Sequence, residues 1–131
     1  MANNLSDYAE VALLDWICGG ATPTRPTTRY LALHTGAPGE TGASNEVSTS
    51  GTNYSRQAIT FAAASAGSAA SSNTPTFTNT GTDFGTISHL SIWDASTAGN
   101  CLWQGAATVS KAIANGDSYA VASGALTVAL D

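Results

Sequence analysis

Large β-branched, aliphatic and aromatic side chains alternate with small or polar ones through Ile87-Ser88-His89-Leu90-Ser91-Ile92-Trp93, the pattern of a pleated strand. Successive side chains of a strand point to opposite faces. Ile87, His89, Ser91 and Trp93 therefore share one face, with Ser88, Leu90 and Ile92 on the other. Both faces carry bulky apolar groups, which predicts a central strand covered on two sides. Asp83-Phe84-Gly85 leads in, and the small polar run Asp94-Ala95-Ser96-Thr97-Ala98-Gly99-Asn100 reads as a turn. Cys101-Leu102-Trp103-Gln104-Gly105 is extended again, so the two segments form an antiparallel hairpin around which the rest must pack.

Upstream, Ser6 is a candidate N-cap, with Asp7 and Glu10 in the first turn where the helix dipole favours negative charge. Gly19-Gly20 supplies a stop, and Pro23 and Pro26 prevent continuation. The spacing predicts one helix over about 6–18, with Ala9, Ala12, Leu13, Trp16 and Ile17 as its core face. Val11 and Leu14 fall on the opposite side, among Asp7, Glu10 and Asp15. A helix apolar nearly all round is covered on more than one side. The second cover is either a neighbouring subunit or a loop of the same chain.

The β region is predicted over about 28–131. Arg29 to Thr35 is a strand with Leu31 and Leu33 on one face and His34 half exposed on the other. Gly36 to Asn53 is a long polar loop, a length uncommon unless it serves a function; it either reaches a neighbour or hangs exposed. Tyr54 to Ala64 and Thr76 to Thr78 are strands, separated by a small-residue linker. Ala106 to Ile113 is extended, Asn115-Gly116-Asp117 is a tight turn into Ser118 to Ala122, and Leu126 to Leu130 alternates as a last strand before Asp131. The expected fold is mainly β, an antiparallel sandwich or partly open barrel of about seven strands with one N-terminal α-helix. At 131 residues it is read as a single domain over 1–131.

Composition narrows the function. The net charge is −5, and the only bases are Arg25, Arg29, Arg56 and Lys111. That leaves no basic patch for a row of phosphates or an anionic membrane, so neither nucleic acid nor membrane is an expected partner. The apolar N-terminal run is broken by Asp7, Glu10 and Asp15, and is read as neither signal peptide nor membrane span. Cys18 and Cys101 are read as two buried free thiols rather than a disulfide, and no spacing suggests a metal site. His34 and His89 are the only histidines. His89 reads as a hydrogen-bonded core or interface side chain, and Asp94 as a turn former. No nucleophile elbow, metalloprotease helix or dinucleotide fingerprint is present, so no catalytic residue and no cofactor is expected. Trp93 and Trp103 read as a cross-strand pair bracing the hairpin rather than a sugar platform.

These landmarks, in this order, resemble a family of small phage virion proteins, tail-fibre-like or decoration proteins. The resemblance runs through Ala12-Leu13-Leu14-Asp15, Tyr30-Leu31-Ala32-Leu33-His34-Thr35, Pro38-Gly39-Glu40-Thr41-Gly42 and Asn45-Glu46-Val47-Ser48. It continues in Tyr54-Ser55-Arg56-Gln57-Ala58-Ile59-Thr60-Phe61, Gly85 to Ala95, Lys111-Ala112-Ile113, Gly116-Asp117 and Gly124 to Asp131. It implies a non-enzymatic particle component. With neither a repetitive shaft nor an internal repeat, the first expectation is a capsid decoration, or cement, protein on the capsid surface. Its partners would be the major capsid protein and other copies in a symmetric oligomer such as a trimer. The alternatives are a tail or baseplate fibre module contacting the host surface and, least favoured, a hydrolase within a β-sandwich. Candidate partner contacts are Val11 and Leu14 on the helix, Glu40 and Glu46 in the long loop, and Trp103.

Overall fold

The computed structural model describes residues 2–130, so Asp131 lies outside the described residues. In chain order the elements are β1 (Ala2–Leu5), α1 (Asp7–Cys18), β2 (Arg29–His34), β3 (Gln57–Ile59), β4 (Ser68–Ala70), β5 (Thr76–Thr78), β6 (Gly85–Trp93), β7 (Cys101–Ile113), β8 (Ser118–Ala120) and β9 (Thr127–Ala129). The fold is mainly β and antiparallel, with one N-terminal helix. A five-stranded sheet runs β1-β7-β6-β2-β3, and two ribbons, β4-β9 and β5-β8, stand apart from it. The sheet does not close into a barrel.

The predicted central strand is β6, third of five, and β6 and β7 form the predicted hairpin. The turn between them is held by Asp94. Its carboxylate accepts the Asn100 backbone N–H at 2.7 Å and the Asn100 amide at 2.9 Å. The two segments expected at 101–105 and 106–113 are one 13-residue strand. Bulges account for its length. Ile87 pairs with Lys111 but His89 with Ala106, so β7 carries extra residues there, and a second shift falls between Ile92 and Trp93. A bulge re-aims the side chains beyond it. Ile87 consequently joins Leu90 and Ile92 in the main core instead of sharing a face with Trp93.

That core lies between the sheet and the ribbons. Leu31, Leu33, Leu90 and Ile92 from the sheet meet Phe77 of β5, Val121 after β8, and Leu126 and Val128 at β9. Tyr54 stacks on Phe77 and meets Phe84 edge-on. The opposite face of the sheet carries Ala32, His34, Ser91, Trp93 and Cys101. The loop 36–56 folds back over it. Thr35 and Val47 N–H donate to the Asn45 and Leu33 carbonyls at 2.9 and 3.0 Å, and Pro38 and Gly42 are buried. The loop is therefore the second cover of β6, and does not hang exposed.

Other expectations shift in detail. Only Gln57–Ile59 of the strand expected over 54–64 is in the sheet. The turn at Asn115-Gly116-Asp117 forms, with Gly116 at φ +89°. The strand after it pairs with β5, not with β7. β1 and β4 were not read as strands, because neither alternates apolar with polar residues.

The helix forms as its caps dictate. Ser6 Oγ accepts the Ala9 N–H at 3.1 Å, and Gly19 closes the last turn in the left-handed conformation at φ +88°, its N–H on the Asp15 carbonyl at 3.1 Å. Its packing differs from expectation. No residue of α1 is buried, so the predicted core face is not core.

Candidate functional site

Two regions carry chemistry beyond the ordinary core: a sealed polar cluster under the 36–56 loop, and the α1 arm.

The cluster is built on β2 and β6. His34, expected to be half exposed, is wholly buried, because the loop closes over its face. Its Nδ1 lies 2.8 Å from the Ser44 carbonyl, and its Nε2 2.7 Å from Ser91 Oγ. A carbonyl only accepts, so Nδ1 carries the proton and Nε2 accepts from the Ser91 hydroxyl. Ser91 Oγ in turn accepts the Trp93 indole N–H at 2.7 Å. The serine–histidine spacing matches that of a nucleophile and its base. Both side chains are buried and the hydroxyl is also engaged by Trp93; the pair ties β2 to β6, and the His34 bond to Ser44 ties the loop to the sheet.

Beside it, Arg56 grips Glu46 through a two-pronged contact, Nε to Oε1 and Nη2 to Oε2, each 2.8 Å. Its Nη1 donates to the carbonyls of Ala95 and Ala98 at 3.1 and 2.8 Å. Its guanidinium lies 3.8 Å above the Trp93 ring centroid, close enough for cation–π attraction. The Tyr54 hydroxyl donates to Glu46 at 2.9 Å and accepts the Leu33 N–H at 3.0 Å. Burial by itself would push the Glu46 carboxyl up; the hydrogen bonds and charge of Arg56 outweigh it and hold the carboxyl below its ordinary value. Burial, aided by Glu46, raises the Tyr54 hydroxyl. Burial also pushes the Cys101 thiol up to about 12, so that sulfur is an inert core group.

Burial lowers the His34 pKa below 6.5, against smaller opposing effects of Ser44 and Glu46. The unfolded imidazole takes up a proton as pH falls through about 6.5, while the folded one stays neutral. In that window the unfolded state binds more protons, so stability falls with pH. We expect a loss of up to ~1.4 kcal/mol per pH unit below about 6.5 until the folded pKa is reached. Urea midpoints between pH 7.5 and 5 check this, and His34→Gln should flatten the slope. Glu46 adds to the loss only below about 4.5, the ordinary carboxylate value.

The arm starts at Ser6, which is buried. Its hydroxyl donates to the Cys101 carbonyl, its N–H to the Leu102 carbonyl at 3.1 Å, and the Asp7 N–H to the Glu40 carbonyl at 3.2 Å. These contacts tether the N-terminal end of α1 alone. Beyond them Val11, Leu14, Trp16 and Ile17 are 60–65 % exposed. The inner side of α1, the 22–26 linker, Leu102, Trp103 and Leu130 enclose a groove of about 520 Å³, with Arg25 and Arg29 among its lining residues. Among the described residues no helix is long and apolar enough to cross a membrane, and no group of His, Cys, Asp and Glu could hold a metal.

The contact candidates are thus dispersed. Val11 and Leu14 are exposed on the arm, and Glu40 is exposed at its base. Glu46 turns inward to Arg56. Trp103 is half-buried in the groove, and its buried indole N–H has no partner among the described residues. Trp103 pairs with Ile92 and Trp93 with Cys101. The two indoles therefore lie on opposite faces, and the expected cross-strand aromatic pair does not form. Cys101 is buried, but Cys18 is exposed, and both are free thiols. His89, half-buried, has its Nδ1 2.9 Å from Ser88 Oγ. Sequence reasoning missed the Arg56–Glu46–Tyr54 cluster. Its one signal was an arginine, a glutamate and a tyrosine in otherwise uncharged segments.

No curated protein matches the chain. The family described as podophage GP4 fiber I protein gp80 matches it over residues 4–129, which takes in the arm, the loop and both ribbons. The chain belongs to that family of phage fibre proteins.

Proposed function

We propose that this fibre-family chain is a non-enzymatic structural module of a tail fibre, joined to neighbouring virion proteins through the α1 arm. The observation that carries the reading is the family match from residue 4 to 129. It weighs toward a fibre over the capsid decoration role first expected from compactness. The geometry supports a structural task. The buried polar groups interlock loop and sheet, and large apolar side chains are exposed on one tethered helix, as at a protein contact. Host-surface contact through Trp103 has less support, since that side chain is half-buried.

Immunogold electron microscopy of intact particles, with antibody against this chain, tests the position. Label confined to the tail is the expected result. Label spread over the head would overturn the tail assignment in favour of the decoration role, and particles without label would remove the chain from the virion.

A further inference from the structure

The α1 arm is apolar on two opposite sides, and its charges form no ion pair among the described residues. Val11, Leu14 and Ile17 face outward, while Ala12, Leu13 and Trp16 line the groove. The helix carries Asp7, Glu10 and Asp15 and no base. Two of the chain's four basic residues, Arg25 and Arg29, sit at the groove. Among the described residues Arg56–Glu46 is the one ion pair. The acidic helix and the two groove arginines are therefore in no ion pair among the described residues.

We propose that the outward face of α1 of one copy seats in the groove of a second copy, its acidic residues meeting Arg25 and Arg29. The contact joins two different surfaces, so repeated head to tail it closes into a ring or runs on as a filament. The outward side chains Val11, Leu14 and Ile17 present on the order of 400 Å², at ~200 Å² for a fully exposed large residue, about half of the ~800 Å² per partner in a standard interface.

The proposal rests on the structural-module reading only in taking the arm as an assembly surface, and its test uses the purified full chain. Sedimentation velocity over a concentration series should show assembly that weakens with added salt, as exposed charge pairs require. Arg25→Glu with Arg29→Glu should weaken association roughly tenfold or more, as when attraction across an interface becomes repulsion. Glu10→Lys with Asp15→Lys should do the same, and mixing the two variants should restore assembly. Leu14→Asp, at an exposed position with no fold to lose, should leave a monomer with unchanged thermal unfolding. A chain monomeric at every concentration would overturn the proposal, as would a dimer indifferent to the arginine reversals. Tail label on particles together with a monomeric purified chain would remove this contact and leave the fibre reading standing.

Discussion

Arg56→Met is expected to lower the unfolding free energy by about 3–5 kcal/mol, the scale for removing one partner of a buried ion pair. The Arg56 side chain is 7 % exposed and that of Glu46 22 %. Without the guanidinium, the Glu46 carboxylate is left in a poorly solvated site with the Tyr54 hydroxyl as its remaining hydrogen-bond donor. The substitution also frees the Ala95 and Ala98 carbonyls and removes the cation from the Trp93 face. One side chain thus holds three segments: the 36–56 loop, the β6–β7 turn and the sheet beneath. Arg56→Lys should recover only part of the loss. A lysine keeps the charge but cannot form the planar two-pronged contact. Arg56→Met combined with Glu46→Gln should cost less than the two single changes summed, because the pair is coupled. Urea unfolding followed by circular dichroism measures all of these. A loss below about 1 kcal/mol for Arg56→Met would mean that the pair behaves like an exposed surface bridge.

Gly42→Ala should cost about 2–5 kcal/mol, from two separate causes. Gly42 has φ +72°, where an L-residue with a side chain is disfavoured by ~1–2 kcal/mol. An added Cβ would also lie 2.6 Å from Cys101 Sγ, 2.7 Å from Cys101 Cβ and 3.0 Å from the Trp93 ring. Such overpacking typically costs ~1–3 kcal/mol. Gly39 separates the causes. It has φ +75° with nothing within 4 Å of its added Cβ, so Gly39→Ala should show the backbone cost alone. Equal losses at the two positions would mean that close approach of the loop to the sheet contributes nothing. A larger loss at Gly42 measures that approach directly.

The local elements were legible because their causes are local. Ser6 and Gly19 bound the helix through contacts within a turn of chain. Asp94 and Asn100 close the hairpin within seven residues. The alternation of Leu90, Ser91 and Ile92 needs only the strand period. Membership of a phage virion protein family was likewise legible in the order of these landmarks, although the first expectation drawn from it was capsid decoration, and the family match favours the fibre alternative. Faces and partners were less legible. Two bulges in the β6–β7 pair moved Ile87 to the main core and parted Trp93 from Trp103, and no single-strand pattern records a partner's bulge. His34 read as half exposed because nothing in Arg29 to Thr35 reveals that a loop returns to cover it.

The candidate site divides in the same way. Val11 and Leu14 were recognisable as an apolar ridge from helical spacing alone, and they are exposed on the arm. Glu46 looked like a free loop carboxylate until Arg56 and Tyr54 were brought to it across ten and eight residues. The caps, the turns, the central strand and the shortage of charge could all be read from the chain alone, the first three being set by neighbouring residues. Contacts between distant segments leave α1 without a buried residue, seal His34 with Ser91 under the loop, and set Arg25 and Arg29 beside an apolar groove. Those outcomes depend on which surfaces meet, and burial is a property of contacts between distant segments, not of the residues that make them.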